Sequence, residues 1–182
     1  MGFNYLKDQS WAEVTRDERF FCAHLYRLAQ NNGIEDFVGF LKDKLNLDLD
    51  PKANWELGYE VCFFRDFCLK FGCEKDYSKK RTFDLCLFSD DTIVIIEAKA
   101  QQGFDTKQLK QFKQDVEHIY DMKDKELQGI KHVYICALIS NIYHPKEDTK
   151  KVFNDNILKW DDIAKHYNDD SILQRANDIY RK

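Results

Sequence analysis

Residues 83–99 read FDLCLFSDDTIVIIEAK, and this stretch decides the fold. Two short apolar runs flank the polar residues 89–91, a pattern that predicts two strands joined by a tight turn. The first strand carries Asp84, whereas Glu97 shares a face of the second strand with Lys99, because side chains alternate between faces. Buried charges are costly unless they are paired or bind a metal ion. Two acids and a lysine at the ends of buried strands therefore predict a functional site.

Further helices and strands are predicted around this hairpin. The apolar spacing predicts helices over residues 15–30, 34–45 and 105–121, and strands over 81–88, 92–100, 131–140 and 157–160. A strand, straight or bent, is predicted over 55–67, polar loops over 46–54, 72–79 and 141–150, and helical pieces after 160. An apolar strand, an amphipathic helix and a second apolar strand in succession favour a parallel crossover. The expected fold class is α/β, with a central mixed β-sheet flanked by helices.

Length and composition predict a single domain in the cytoplasm. A chain of 182 residues is expected to form a single domain over 1–182, with a core at about 15–140 and a C-terminal extension over 141–182. No apolar run approaches the roughly 20 residues that span a bilayer, and the start is unlike a signal peptide. We therefore expect a cytoplasmic protein without a membrane partner.

The six cysteines fit that expectation, since most of them lie inside apolar strands or a helix, as small buried thiols do. They are Cys22, Cys62, Cys68, Cys73, Cys86 and Cys136. A zinc site from Cys62, Cys68 and Cys73 remains a minor alternative, since their spacing is unlike that of zinc ribbons and fingers. The five histidines show no metal-ligand spacing.

The formal net charge of −4 excludes a strongly basic nucleic-acid binder. Two local basic groups remain: Lys75, Lys79, Lys80 and Arg81 before the first motif strand, and Lys107, Lys110 and Lys113 on the helix after the second. Basic groups of this kind can hold phosphates or form solvated faces, and the overall acidity favours solvated faces. Weak or partner-assisted binding of DNA is therefore expected.

The combination of Asp84, a short spacer and residues 97–99 (EAK) resembles the signature of the PD-(D/E)XK nuclease superfamily. The resemblance extends over residues 15–160 and includes the apolar strand before the EAK motif and a glutamine-bearing helix after it. Phe83 stands where the name-giving proline would be. The resemblance implies a restriction-endonuclease-like αβββαβ core.

It also implies Mg²⁺-dependent hydrolysis of phosphodiester bonds in nucleic acid, with DNA as the expected substrate and Mn²⁺ able to replace Mg²⁺. Asp84 and Glu97 would supply the carboxylate oxygens that Mg²⁺ prefers, with the backbone carbonyl of Ala98 as a third ligand. Lys99 would stabilise the phosphate or orient water, or, with a lowered pKa, act as a base. The structural alternative is an ion pair of Asp84 with Lys99 or Arg81.

Two supporting residues are expected on helices. Glu18 lies along the apolar stripe of the first helix and could reach the metal through water, although its place in the sequence TRDE also fits a capping box. Glu60 is the rival for this outer acid. Gln108 lies at the edge of the apolar face of the helix after Lys99, where it would orient a water or a phosphate, or simply be polar surface.

The sequence therefore predicts a metal-dependent DNA endonuclease guided by nucleic-acid structure or by a protein partner. The first alternative is a catalytically inactive binding module on the same fold, and the second is an interaction protein in which the charges form a structural salt bridge. RNA as substrate and a homodimer or protein partner are left open.

Overall fold

The computed structural model describes residues 2–73, 77, 80–125 and 127–180. Within them, five strands form one mixed sheet in the order β1-β2-β3-β4-β5, and helices flank it. The strands are β1 (Glu56–Val61), β2 (Phe83–Phe88), β3 (Thr92–Ala98), β4 (His132–Ile139) and β5 (Ile157–Lys159). The helices are α1 (Trp11–Val14), α2 (Glu18–Asn32), α3 (Ile34–Leu45), α4 (Phe63–Phe71), α5 (Thr106–Lys125), α6 (Glu147–Val152), α7 (Trp160–His166) and α8 (Ser171–Asp178). The predicted α/β class with a mixed sheet is confirmed.

The predicted hairpin forms from β2 and β3, which pair antiparallel with Leu85 opposite Ile96. Its turn is closed by Ser89, whose N–H donates to the carbonyl of Thr92 at 2.9 Å and whose hydroxyl accepts from the Thr92 N–H at 3.1 Å. All seven residues of β3 are buried. A strand with neighbours on both sides and helices on both faces is expected to be apolar throughout, as the sequence of β3 is.

The parallel half of the sheet follows through α5. β4 pairs parallel to β3, with Ile95 opposite Ile135, and β5 pairs parallel to β4, with Leu138 opposite Leu158. The segment after residue 140, expected as an extension, thus contributes the fifth strand. It also contributes the fully buried Trp160 at the start of α7.

The sheet separates two apolar cores. One core joins the helices α2, α3, α7 and α8 to one face through residues such as Phe21, Leu41 and Leu173. The other joins α4 and α5 to the opposite face through residues such as Phe64 and Phe112. The site described below lies where β2 and β3 emerge between these two layers.

The prediction of one strand over residues 55–67 is wrong in its second half. β1 ends at Val61 and α4 begins at Phe63. The aromatic side chains of Phe63, Phe64 and Phe67 recur at helical rather than strand spacing, and the ring centroids of Phe63 and Phe67 lie 6.0 Å apart. The predicted loop over 141–150 also ends early, because α6 begins at Glu147.

Cys68 and Cys73 form a disulfide, with their Cα atoms 5.0 Å apart, so the alternative of a zinc site shared with Cys62 is wrong. The predicted burial of free thiols is confirmed for Cys22, Cys86 and Cys136. Because disulfides are rare in the cytosol, the cytoplasmic location stays a prediction.

The described residues include only part of the first basic group. Lys75 and Lys79 of the first basic group lie outside them. No helix within the described ranges combines the length and apolar character needed to cross a bilayer.

Candidate functional site: a buried cluster of carboxylates and two cations

The three motif side chains meet at one end of the β2–β3 pair. Continuing the register of Leu85 with Ile96 by one residue places Asp84 opposite Glu97. The Asp84 carboxylate accepts the N–H of Ala98 through Oδ2 at 2.7 Å, and Lys99 Nζ lies 3.8 Å from Glu97 Oε1. The predicted convergence of two acids and a lysine is therefore present.

Lys99 is held by groups from a strand and a helix. Its ammonium donates to Glu18 Oε1 at 3.0 Å and to the Ala98 carbonyl at 2.8 Å, and it lies 5.4 Å from the centre of the Phe104 ring. The second oxygen of Glu18 accepts the N–H of Ala100 at 3.0 Å. Glu18 thus fixes the end of β3 to the start of α2.

The capping-box interpretation of Glu18 is wrong. Helix α2 begins at Glu18 and is capped by Asp17, which accepts the N–H of Arg19 at 3.0 Å. A residue at the first helical position does not need its side chain for the cap. The carboxylate of Glu18 is consequently free to reach the strand end.

The rival acid Glu60 takes a different partner, since its Oε1 lies 3.3 Å from Arg19 Nε. Its φ of 52° is in the left-handed region, which is uncommon for a residue other than glycine. Tyr59 and Val61 pair with β2 on either side, so this distortion lies opposite Asp84. Backbone strain of this kind is enriched near functional sites.

Arg81 is the second cation of the cluster. Its Nη2 donates to Glu97 Oε2 at 2.9 Å, and its Nε lies 2.9 Å from Asp115 Oδ2 in an ion pair that lacks hydrogen-bond alignment. The guanidinium carbon lies 5.1 Å and 5.3 Å from the ring centres of Phe83 and Phe112. Among the described residues, neither Lys99 nor Arg81 forms an ion pair with Asp84. The ion pair that the structural alternative predicted for Asp84 is therefore not observed.

Sequence reasoning missed two residues of the cluster. Asp115 follows Phe112 by three residues and precedes Ile119 by four, so a lone acid on the apolar stripe of α5 was the signal that could have identified it. Trp160 Nε1 donates to the Lys99 carbonyl at 3.1 Å. No sequence pattern links Trp160 to Lys99, because they lie far apart in the chain.

Gln108 is occupied at the start of α5. Its Oε1 accepts the N–H of Asp105 at 3.4 Å, and its own N–H donates to Asp105 Oδ1 at 2.8 Å. This reciprocal pair satisfies backbone donors at the helix start. Within the described part of the chain, no hydrogen bond joins Gln108 to the cluster, and its catalytic role stays a prediction.

Among the described residues, four acids of this cluster lie near the cations Lys99 and Arg81, and burial disfavours the charged forms of the acids. Burial, reinforced by the charge of Asp84, raises the pKa of Glu97 to about 7. Burial also raises the pKa of Asp84 above its ordinary value, although the Ala98 N–H opposes this effect. The pKa values of Glu18 and Asp115 are raised by burial as well, against the attraction of Lys99 and Arg81 respectively. The positive charges of Lys99 and Arg81 therefore do not fully offset the cost of ionising these four carboxyl groups.

The lysine behaves in the opposite way. Burial by itself lowers the pKa of Lys99, but the nearby carboxylates of Glu18, Glu97 and Asp84 outweigh it and raise the pKa above the ordinary value. Lys99 therefore keeps its proton at physiological pH.

The groups available to a metal ion are the carboxylates of Asp84 and Glu97 and the carbonyl of Ala98. Among the described residues, no three His, Cys, Asp or Glu side chains are grouped as a metal site. Mg²⁺ usually takes only one or two carboxylates and keeps several waters, so two acids and a carbonyl are a suitable donor set. The Ala98 oxygen already accepts from Lys99, but a carbonyl has two lone pairs.

Comparison of the chain with family models, with curated proteins and with solved structures gives no match. The interpretation of the cluster therefore depends on its own geometry and charge.

Proposed function

We propose that this chain is a Mg²⁺-dependent hydrolase of phosphodiester bonds in nucleic acid, with DNA as its substrate, and that it has a PD-(D/E)XK active site on a restriction-endonuclease-like core. One observation carries the proposal. Within the part of the chain that the structure describes, four buried or half-buried carboxylates lie together and their ion pairs involve two cations, Lys99 and Arg81; the carboxylates are Glu18, Asp84, Glu97 and Asp115.

An excess of buried negative charge is costly in the protein alone. A divalent cation next to Asp84 and Glu97 would offset that cost. Burial raises the pKa values of these two acids, which is consistent with carboxylates whose charge is costly without a metal ion.

The order of the secondary structure also supports the proposal. Helix α2, strands β1, β2 and β3, helix α5 and strand β4 follow one another in the order that the superfamily core requires, with α3 and α4 inserted. The acids lie on the central antiparallel pair of this series, and Glu18 comes from the first helix.

Mg²⁺ would be held by Asp84, Glu97 and the Ala98 carbonyl, and when bound it supplies Lewis-acid neutralisation of the phosphate and a lowered pKa of a coordinated water. Lys99 would contribute a fixed positive charge toward the scissile phosphate. Its raised pKa favours this role over that of a base. Glu18 keeps the ammonium in position through its 3.0 Å hydrogen bond.

A cleavage assay on mixed DNA and RNA, with Mg²⁺, with Mn²⁺ and with chelator, tests the proposal. The informative variant is Asp84→Asn, because an amide oxygen can still accept the Ala98 N–H while the charge is lost. The matched control is Asp91→Asn in the exposed turn of the same hairpin, where Asp91 pairs with Lys131 at 3.1 Å.

We expect metal-dependent products from the wild type and from Asp91→Asn, and loss of at least about 100-fold in rate for Asp84→Asn. Circular dichroism must show that both variants are folded. An equal rate in Asp84→Asn and wild type, or no metal-dependent product from any protein, contradicts the proposal.

A second candidate function, a binding module without catalysis, is favoured by the contact between Arg81 and Glu97. An arginine at 2.9 Å partly neutralises Glu97 without a metal ion. Isothermal titration with Mg²⁺ and Mn²⁺ distinguishes the two functions. Binding that is lost in Asp84→Asn supports the nuclease, and no binding to the wild type supports the module.

A further inference from the structure

A groove of about 990 Å³ lies beside the cluster, between helix α5 and the segment that contains helix α6. Phe104 forms part of its wall and also contacts Lys99, whose ammonium lies 5.4 Å from the ring centre. The groove therefore opens next to the residues that would cleave a phosphodiester. The groove extends from Phe104, just before α5, to Tyr120 on α5.

Lysines line both walls of the groove. Lys110 and Lys113 project from α5, and Lys146 and Lys151 flank or belong to α6. All four are exposed, and none forms an ion pair with another described residue. This differs from Lys44, Lys125, Lys131, Lys150 and Lys165, which pair with carboxylates.

The groove has a small excess of positive charge, four lysines against three carboxylates, on a chain of net charge −4. Three carboxylates also line it, and the backbone N–H of Gln108 donates to one of them, Asp105, at the start of α5. Free ammonium groups on two facing walls are suited to successive phosphates of one strand.

Aromatic rings line the same groove as these lysines. The ring centroids of Tyr143 and Tyr180 are 5.4 Å apart at the wall opposite α5, and both side chains are only partly buried. Gly103 permits this arrangement, because a Cβ at that position would clash with the Tyr143 ring. Phe104 and Tyr120 add apolar surface.

We propose that this groove binds a single-stranded segment of nucleic acid. The four lysines contact phosphates, and unpaired bases stack on Tyr143, Tyr180 and Phe104. Aromatic platforms favour single strands, because the bases of a duplex already stack on one another. The inference rests on the proposed function only in naming nucleic acid as the ligand of the adjoining cluster.

Fluorescence anisotropy in chelator, where no cleavage occurs, tests the groove separately from the chemistry. The probes are an oligothymidylate of about 16 nucleotides, the upper end of a typical single-strand site, and a duplex of the same length. The test variants are the double substitution Lys110→Glu with Lys113→Glu, and Tyr143→Leu. The matched control is Lys52→Glu with Lys70→Glu, which changes the charge equally at exposed lysines outside the groove.

We expect the wild type to prefer the single strand to the duplex. Each lysine that contacts a phosphate contributes about 0.7 to the slope of log affinity against log salt, so the groove double variant should lower the slope by about 1.4 and the control by much less. Tyr143→Leu should weaken binding about 10-fold with an unchanged slope, since it removes a stacking platform and no charge.

Absence of single-strand binding, equal or tighter binding of the duplex, or equal effects of the groove and control variants overturns the inference. Binding in the groove without metal-dependent cleavage leaves the inference standing and contradicts the proposed function. Metal-dependent cleavage by the wild type, with equal binding by the wild type and the groove variants, supports the proposed function and contradicts the inference about the groove.

Discussion

Replacing Glu97 by glutamine should make the metal-free protein more stable at neutral and alkaline pH. The pKa of Glu97 is raised from 4.5 to about 7, chiefly by burial, so the folded state holds its proton more tightly than the unfolded state. The stability linked to this group is complete below about pH 4.5 and is lost as the pH rises through 7. A difference of about 2.5 pH units at about 1.4 kcal/mol per unit corresponds to about 3 kcal/mol.

Glutamine cannot ionise, yet its amide oxygen can still accept the hydrogen bond that Arg81 donates at 2.9 Å. The variant should therefore match the wild type near pH 4.5 and exceed it by about 3 kcal/mol at pH 8. For a domain of this size, that corresponds to about 6–12 °C in Tm.

Urea unfolding and thermal scans in chelator, at intervals between about pH 5 and 8, provide the measurement. The control is Glu147→Gln, since Glu147 is exposed and its pKa is lowered by hydrogen bonding to Lys150. The reasoning is refuted if the free energy of unfolding of the wild type stays flat over this range, or if Glu97→Gln declines with pH as steeply as the wild type.

Three further predictions concern single contacts, each measured by urea unfolding. Trp160→Phe removes the N–H that the buried Lys99 carbonyl accepts and should cost about 1–3 kcal/mol; an unchanged free energy contradicts this contact. Cys73→Ser opens a short disulfide loop and should cost about 2 kcal/mol, and the wild type under reductant should lose the same amount; equal stability of the oxidised wild type and the variant contradicts the bond. Glu60→Gly relieves a φ of 52° and should raise stability by about 1 kcal/mol, whereas a loss would indicate that the ion pair with Arg19 matters more.

The sequence predicted the elements whose signals are local. The hairpin of β2 and β3, the helix over 34–45 and the apolar strand β4 follow from apolar periodicity and turn residues within a few positions of one another. The prediction of a strand over residues 55–67 was wrong in its second half because aromatic side chains occur in both strands and helices. A change of element between Val61 and Phe63 was decided by packing of α4 against the second core.

The site was predictable where both partners lie on one hairpin, as for Asp84 and Glu97. Contacts made between distant elements were not. Glu18 could be placed on the inner side of its helix, but its 3.0 Å hydrogen bond to Lys99 depends on how α2 packs on the sheet. The contact of Arg81 with Asp115 was not predictable for the same reason, because it depends on how α5 packs on the sheet.

Charge balance separates a functional cluster from a structural ion pair. A purely structural network gains from matching its charges, and replacing a buried ion pair by groups of similar volume is often neutral or stabilising. Here burial raises the pKa values of Glu97 and Asp84 despite the two nearby cations, so their ionisation costs folding free energy. A gain in stability on neutralising Glu97, together with a loss of metal-dependent cleavage in the same variant, is a combination that a structural salt bridge cannot produce.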